Sequence, residues 1–91
     1  MDERLILAIN GLREIDAYIL AYLLNNQEGI CSHIAEYAHK HVANVHKRLH
    51  ILENAGIIED HGKRNRPIYS LKPEWIKNLV EWDEKKRAEN L

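Results

Sequence analysis

Two apolar rows lie close together in the middle of the chain, and a short polar segment separates them. The first row consists of Ile34, Ala35 and Ala38, and the second of Val45, Leu49 and Leu52. Each spacing is that of the buried face of a short amphipathic helix. The polar residues 39–41 leave room for a tight turn and little more. The pattern therefore predicts a helix, a turn and a second helix, which Gly56 ends before an extended segment begins at Ile57.

Helical spacing also marks the stretches that precede this pair. Residues 13–26 carry an apolar stripe that predicts a longer helix, and residues 2–10 predict a shorter one that Gly11 weakens or ends. A brief extended segment is expected at residues 30–31, with Ser32 as the N-cap of the helix that follows. The longer helix and the central pair together predict a trihelical core.

A strand, a charged loop and a second strand are predicted after the helix pair. The apolar start of residues 57–60 and the alternation in residues 68–71 predict the two strands, and the polar residues 61–67 predict the loop between them. Pro73 is well placed in the first turn of a final helix, whose apolar side chains form two adjacent rows. One row contains Trp75, Leu79 and Trp82, and the other contains Ile76 and Val80.

The helix pair resembles the helix-turn-helix of winged-helix transcription regulators, in particular those of the ArsR and MarR types. The matching residues, without a gap, are Ile34, Ala35, Glu36, Val45, Lys47, Arg48, Leu49, Leu52, Glu53, Ala55, Gly56, Ile57 and Ile58. His39 stands where these families usually have glycine, Lys40 replaces a hydrophobic residue of the turn, and residues 41–43 replace a helix start rich in Ser and Thr. Residues 66–74 also resemble the families' passage from the wing to the last helix.

This resemblance covers roughly residues 12–74 and implies a mostly α fold with a small β-hairpin wing, the winged helix-turn-helix. The chain is predicted to be one domain, with an N-terminal helix or arm at 1–11, a core at 12–72 and a C-terminal dimerisation helix at 73–91. A length of 91 residues agrees with a single domain whose thin core a dimer would extend. The implied function is that of a sequence-specific transcription regulator that binds double-stranded DNA as a homodimer.

The composition, 45% hydrophobic and 30% charged, is that of a soluble globular protein. No apolar run approaches the roughly 20 residues that span a bilayer. The single cysteine, Cys31, excludes an internal disulfide and fits a reducing compartment. From these three observations together we expect a cytoplasmic protein.

The net charge of −1 conceals an uneven distribution of charge. Residues 37–72 contain seven Lys or Arg and three Asp or Glu, which give a net charge of +4. The rest of the chain contains six Lys or Arg and eleven Asp or Glu, which give a net charge of −5. A basic middle between acidic ends is typical of a protein that binds a polyanion. Double-stranded DNA is the polyanion that the resemblance implies.

In a helix-turn-helix, the second helix lies in the major groove with its N-terminal half toward the base edges. The face opposite its apolar row carries Asn44, which pairs well with adenine, and Lys47 and Arg48, which reach guanine or phosphate. Cations in the loop suit the DNA backbone or the minor groove. The predicted DNA-contacting residues are His41, Ala43, Asn44, His46, Lys47, Arg48, Lys63, Arg64, Asn65 and Arg66. A solvated, charged surface is the alternative interpretation of the same residues.

The six histidines raise the alternative of a metal site. His46 and His50 are spaced i, i+4, which allows chelation, but no Cys-x-x-Cys pair exists and the cysteine pair of thiolate sensors is absent from the recognition helix. Cys31 and His33 lack a third group for nucleophilic catalysis, and no Gly-rich phosphate loop is present. We therefore expect no metal, no cofactor and no enzymatic activity, and a metal-responsive repressor is the last of the alternatives.

The wide apolar face of the final helix predicts a dimer, because large exposed apolar patches are uncommon on monomers. The predicted interface residues are Leu5, Ile9, Trp75, Ile76, Leu79, Val80 and Trp82. A winged helix that binds another protein within a larger assembly is the alternative to a homodimeric DNA-binding regulator.

Overall fold

The computed structural model describes residues 11–89, which form four helices and three strands. The helices are α1 (Glu14–Asn26), α2 (Cys31–Ala38), α3 (Val42–Asn54) and α4 (Trp75–Glu89). The strands are β1 (Glu28–Gly29), β2 (Ile58–Asp60) and β3 (Tyr69–Leu71). The helix predicted for residues 2–10, with the interface residues Leu5 and Ile9, lies outside the described residues. No described helix has the length and apolar character needed to cross a membrane.

The three strands form one antiparallel sheet in the order β1-β3-β2. The predicted hairpin is confirmed: β2 pairs with β3, and Asp60 lies opposite Tyr69. The extended segment before α2 lies earlier than predicted, because β1 covers residues 28–29 and Cys31 already belongs to α2. The prediction that Ser32 caps α2 is therefore wrong. Ile30 occupies the N-cap position and provides no side-chain hydrogen bond.

The turn between α2 and α3 has the predicted length, and a histidine occupies its left-handed position. His39 has φ 53° and ψ 42°, a conformation that costs a non-glycine residue roughly 1–2 kcal/mol. The Lys40 N–H closes α2 by donating to the Ala35 carbonyl at 3.1 Å. His41 then caps α3, because its Nδ1 accepts the N–H of Ala43 at 3.2 Å. Backbone strain at one histidine and a side-chain cap from another thus set the start of α3.

Gly56 follows α3 in the left-handed conformation that the sequence predicts, with φ 77°. The Asn78 side chain of α4 donates its Nδ2–H to the Gly56 carbonyl at 2.6 Å. A Cβ atom at position 56 would lie 2.9 Å from that same nitrogen. Glycine is therefore favoured here by the backbone conformation, and any other residue would also displace the Asn78 amide.

One apolar core lies between the first three helices and the sheet. Its largest fully buried apolar side chains are Ile19, Leu20, Leu23, Ile34, Val45, Leu49, Leu52, Ile57, Ile58 and Tyr69. The two apolar rows that predicted α2 and α3 are thus confirmed as buried faces. Their burial fixes which sides of α2 and α3 remain in contact with solvent.

The apolar face predicted for α4 divides into two parts. Leu79 is buried in the core, and Trp75 and Trp82 are partly buried against it. Ile76 and Val80 remain 56% and 51% exposed. The row that contains both tryptophans therefore packs on its own domain, and Ile76 and Val80 form an exposed apolar pair one helical turn apart.

Candidate nucleic-acid interface

The exposed face of α3 is the one that its apolar row predicts. Ala43, Asn44, His46 and Lys47 are all exposed to solvent, and Asn44 and Lys47 are one turn apart on the helix. His41 is exposed as well, with one ring nitrogen occupied by the cap of α3. The N-terminal half of α3 therefore presents an amide, a cation and an imidazole on one accessible surface.

Arg48 departs from this pattern, and its predicted place on the exposed face is wrong. Its side chain points into the protein, where Nε and Nη2 donate to the two carboxylate oxygens of Asp16 at 2.8 and 2.6 Å. Arg48 is 8% exposed and Asp16 is fully buried. The same Nη2 also lies 3.5 Å from the Gly11 carbonyl. Arg48 is therefore removed from the set of residues that face solvent.

The partner of Arg48 is a residue that the pattern of the sequence did not single out. Asp16 lies in the first turn of α1, between the apolar residues Ile15 and Ala17. One of its oxygens also accepts the backbone N–H of Arg13 at 2.8 Å, which caps α1. A carboxylate within an apolar stripe was the available signal, since a buried acid requires a partner. The resulting bidentate pair ties α1 to α3 and fixes the direction of α3.

The loop between β2 and β3 is held at its base by Asp60. The Oδ1 atom of Asp60 accepts the backbone N–H groups of Gly62 at 2.9 Å and Ile68 at 3.1 Å. Farther out, the Arg66 N–H donates to the Lys63 carbonyl at 2.8 Å, which closes a tight turn at the tip. The loop is therefore an ordered projection rather than an open connection.

The tip of this loop carries the predicted cluster of cations. Lys63, Arg64, Asn65 and Arg66 are exposed. Within residues 11–89, neither the three cations of the tip nor Lys47 of α3 forms an ion pair. His46 of α3 lines the same cleft as residues 65–66 of the tip. The exposed face of α3 and the loop tip therefore border one cleft, with unpaired cations on both sides of it, and together they are called the basic surface.

Two cations of the basic middle segment are paired with acidic residues of α1. Arg48 is bound by Asp16, and the Nζ atom of Lys40 lies 3.3 Å from Glu14. Their charges are thus offset locally, one in the interior and one at the surface. Of the five cations of this segment left without such partners among the described residues, Lys72 is half-buried, and the four exposed ones are Lys47, Lys63, Arg64 and Arg66.

Two histidines meet on the exposed side of α3. The Nε2 atoms of His46 and His50 are 3.1 Å apart, and the ring centroids are 4.5 Å apart at an interplanar angle of 84°. The Nδ1 atom of His50 lies 3.7 Å from a carboxylate oxygen of Glu53. In the described part of the chain, no group of three or more His, Cys, Asp or Glu is arranged to hold a metal ion.

Cys31 occupies a half-buried position at the start of α2. Its Sγ–H donates to the Val42 carbonyl across the turn, with a distance of 3.7 Å between sulfur and oxygen. Burial raises the pKa of the Cys31 thiol, so the thiolate is less populated at neutral pH than that of a solvated cysteine. This environment is that of a packing residue and does not activate a nucleophile.

Comparisons with known proteins bear on the fold. No protein-family model and no curated protein matches the sequence. Among solved structures, the YusO protein from Bacillus subtilis is similar, with a TM-score of 0.62 and 20% sequence identity over 86% of this chain. The matched region spans 58% of the YusO chain, less than two thirds of its length.

The chain has a winged-helix fold. In DNA-binding proteins of this fold, the helix that corresponds to α3 is called the recognition helix, and the hairpin that corresponds to β2–β3 is called the wing. The predicted fold class is thereby confirmed. Membership of the ArsR or MarR type stays a prediction, because a similarity at this level of identity concerns the fold alone.

Proposed function

We propose that this winged helix is a sequence-specific transcription regulator that binds double-stranded DNA. The observation that carries the proposal is that Lys47 of α3 and the three cations of the loop tip, on two elements that border one cleft, are exposed and have no ion-pair partner within the described residues. Cations held free on such a surface are available to phosphates, which supply most of the affinity of DNA-binding proteins.

The recognition helix supplies the groups that would read base edges. Asn44 is exposed in its first turn, where a bidentate amide contact distinguishes adenine. Ala43 offers a methyl group to thymine, and Lys47 reaches guanine or a phosphate. His41 and His46 complete the helix side of the surface, while the wing residues Lys63, Arg64, Asn65 and Arg66 would contact the backbone or the adjacent minor groove.

The proposed DNA-binding unit is a homodimer that associates through α4. Ile76 and Val80 are exposed on that helix, while Leu79 and the two tryptophans already pack on their own domain. Burial of the apolar pair against the same helix of a second chain would remove it from water. A two-fold pair would place two recognition helices about 34–36 Å apart, one turn of duplex.

Duplex binding measured by fluorescence anisotropy tests the proposal. A random-sequence duplex should bind at low salt, and selection from a random pool should then yield a pseudo-palindromic site. The full chain is titrated against the same duplex with and without competitor DNA. If no duplex binds at low salt, the proposal fails and the alternative, a winged helix that binds another protein, is favoured.

Asn44→Ala should weaken binding to the selected site by about 1–3 kcal/mol and relax the base preference at one position in each half-site. The reason is that the amide supplies paired hydrogen bonds to one base. Arg64→Ala is the matched control, because a wing cation that contacts phosphate should weaken binding to all sequences by a similar factor. Competition assays with single-base variants of the site measure both effects. An unchanged base preference in Asn44→Ala would remove Asn44 from the reading face.

Ile76→Glu combined with Val80→Glu should convert the dimer into a monomer, because carboxylates cannot be buried without partners. Sedimentation equilibrium at tens of micromolar protein measures the change. Lys77→Glu is the control, since that residue is exposed on the same helix and is not apolar. A wild-type chain that is monomeric under these conditions would contradict the dimer and leave the DNA-binding surface to be tested by itself.

A further inference from the structure

The histidine pair of the recognition helix has the geometry of a two-nitrogen chelate. His46 and His50 are one turn apart and exposed, and a hydrogen bond holds their Nε2 atoms 3.1 Å apart. Zinc–imidazole bonds of roughly 2.0–2.1 Å place two nitrogens about 2.9 Å apart at a right angle and about 3.4 Å apart at the tetrahedral angle. The observed separation lies between these two values, so an ion that replaced the hydrogen-bonded proton between the two nitrogens would need a rotation of the rings but little change in the distance between those nitrogens.

The surroundings of His50 favour the same arrangement. Its Nδ1 faces the Glu53 carboxylate, 3.7 Å away, and its Nε2 faces His46. A histidine that ligates a metal through one nitrogen commonly directs the other toward a carboxylate, which fixes the ring and makes it a better ligand. The negative charge of Glu53 also favours a cation nearby.

We propose that His46 and His50 form a site for a divalent transition-metal ion such as Zn²⁺, Ni²⁺ or Cu²⁺. Two imidazoles at i, i+4 on one helix face are a recurrent means of binding these ions. Imidazole ligands suit them rather than Mg²⁺ or Ca²⁺, which prefer oxygen. With two protein ligands, water fills the remaining coordination positions, so the site is open toward solvent.

The position of this site couples it to the proposed function. His46 is exposed on the same helix as Asn44 and Lys47, and it lines the cleft that the loop tip also borders. An ion bridging the two rings, together with its waters, occupies space between the helix and the base edges. Metal and duplex therefore compete for this face of the protein. The competition rests on the proposed DNA binding, whereas the metal site itself does not.

Titration of Zn²⁺ into the full chain by isothermal titration calorimetry tests the site without DNA. The wild type should bind one ion per chain, with chemical-shift changes in the NMR signals of both histidine rings. His46→Gln and His50→Gln should each lower the affinity by roughly 10–100-fold. Both side chains are exposed, so the fold is expected to survive, which circular dichroism verifies. His33→Gln and Cys31→Ser, which alter other metal-binding groups, should bind as the wild type does.

Equal Zn²⁺ affinity in the wild type and the His46→Gln/His50→Gln double variant would show that these histidines do not form the site.

The competition is tested by the ratio of the duplex Kd with Zn²⁺ to the duplex Kd without it. This ratio should exceed one in the wild type and equal one in the double variant. Comparison of ratios corrects for any direct contribution of the histidines to DNA binding. A wild-type ratio of one or less would overturn the competition. Failure of every duplex to bind would count against the proposed function, while calorimetry would still decide the site.

Discussion

Raising the salt concentration from roughly 50 to 200 mM should weaken duplex binding by about 10⁴-fold if the protein binds as a dimer. The exposed face of α3 and the loop tip of each chain carry four exposed cations with no ion-pair partner within the described residues, which are Lys47, Lys63, Arg64 and Arg66. Eight phosphate contacts in a dimer would release about eight condensed counterions. The plot of log affinity against log salt should then have a slope of about −7.

The same measurement separates a dimer from a monomer. Four phosphate contacts would give a slope of about −4 and a loss of only about 10²-fold over the same range. Anisotropy titrations at four salt concentrations determine the slope. Lys63→Gln should reduce its magnitude by about two in a dimer. Lys40→Gln, which removes a cation already paired with Glu14, should change it much less. A slope near zero would contradict an electrostatic interface at this surface.

Replacing Asp16 by alanine should lower the free energy of unfolding by about 3–5 kcal/mol. The carboxylate is fully buried and accepts hydrogen bonds from Nε and Nη2 of Arg48 and from the backbone N–H of Arg13. Its removal would leave the nearly buried guanidinium of Arg48 without its counter-charge. Since a small domain is stable by only about 5–15 kcal/mol, a large part of the stability would be lost. Urea denaturation followed by circular dichroism measures the change.

Two further variants identify the cause of that loss. Glu14→Ala removes an acidic residue from the same first turn of α1, but its pair with Lys40 is largely exposed, so the cost should stay within about 1 kcal/mol. Asp16→Leu combined with Arg48→Met replaces both buried charges by apolar groups and should restore most of the stability. If Asp16→Ala cost no more than Glu14→Ala, the buried pair would not be what holds α1 to α3.

Local patterns in the sequence determined the elements of this fold. The helical spacing of apolar residues predicted α1, α2 and α3, and the alternation near Tyr69 predicted one strand of the wing. Gly56 was identified as the end of α3 because its left-handed conformation suits glycine. Spacing along one helix also identified His46 and His50 as neighbours, since residues four apart share a face. Each of these features depends on residues that are close together in the sequence, so the spacing and type of those residues are enough to predict it.

Contacts between distant parts of the chain were determined only by the tertiary structure. Arg48 lies within a matching basic motif, and its burial depends on Asp16, which is 32 residues earlier in the chain. Likewise, the apolar residues of α4 formed one wide face in the sequence, but the packing of Leu79 on the core left Ile76 and Val80 exposed. The approach of the wing tip to the recognition helix also joins segments with no local relation. Periodicity specifies which side of an element is apolar, whereas the partner that a charged side chain meets depends on how whole elements pack.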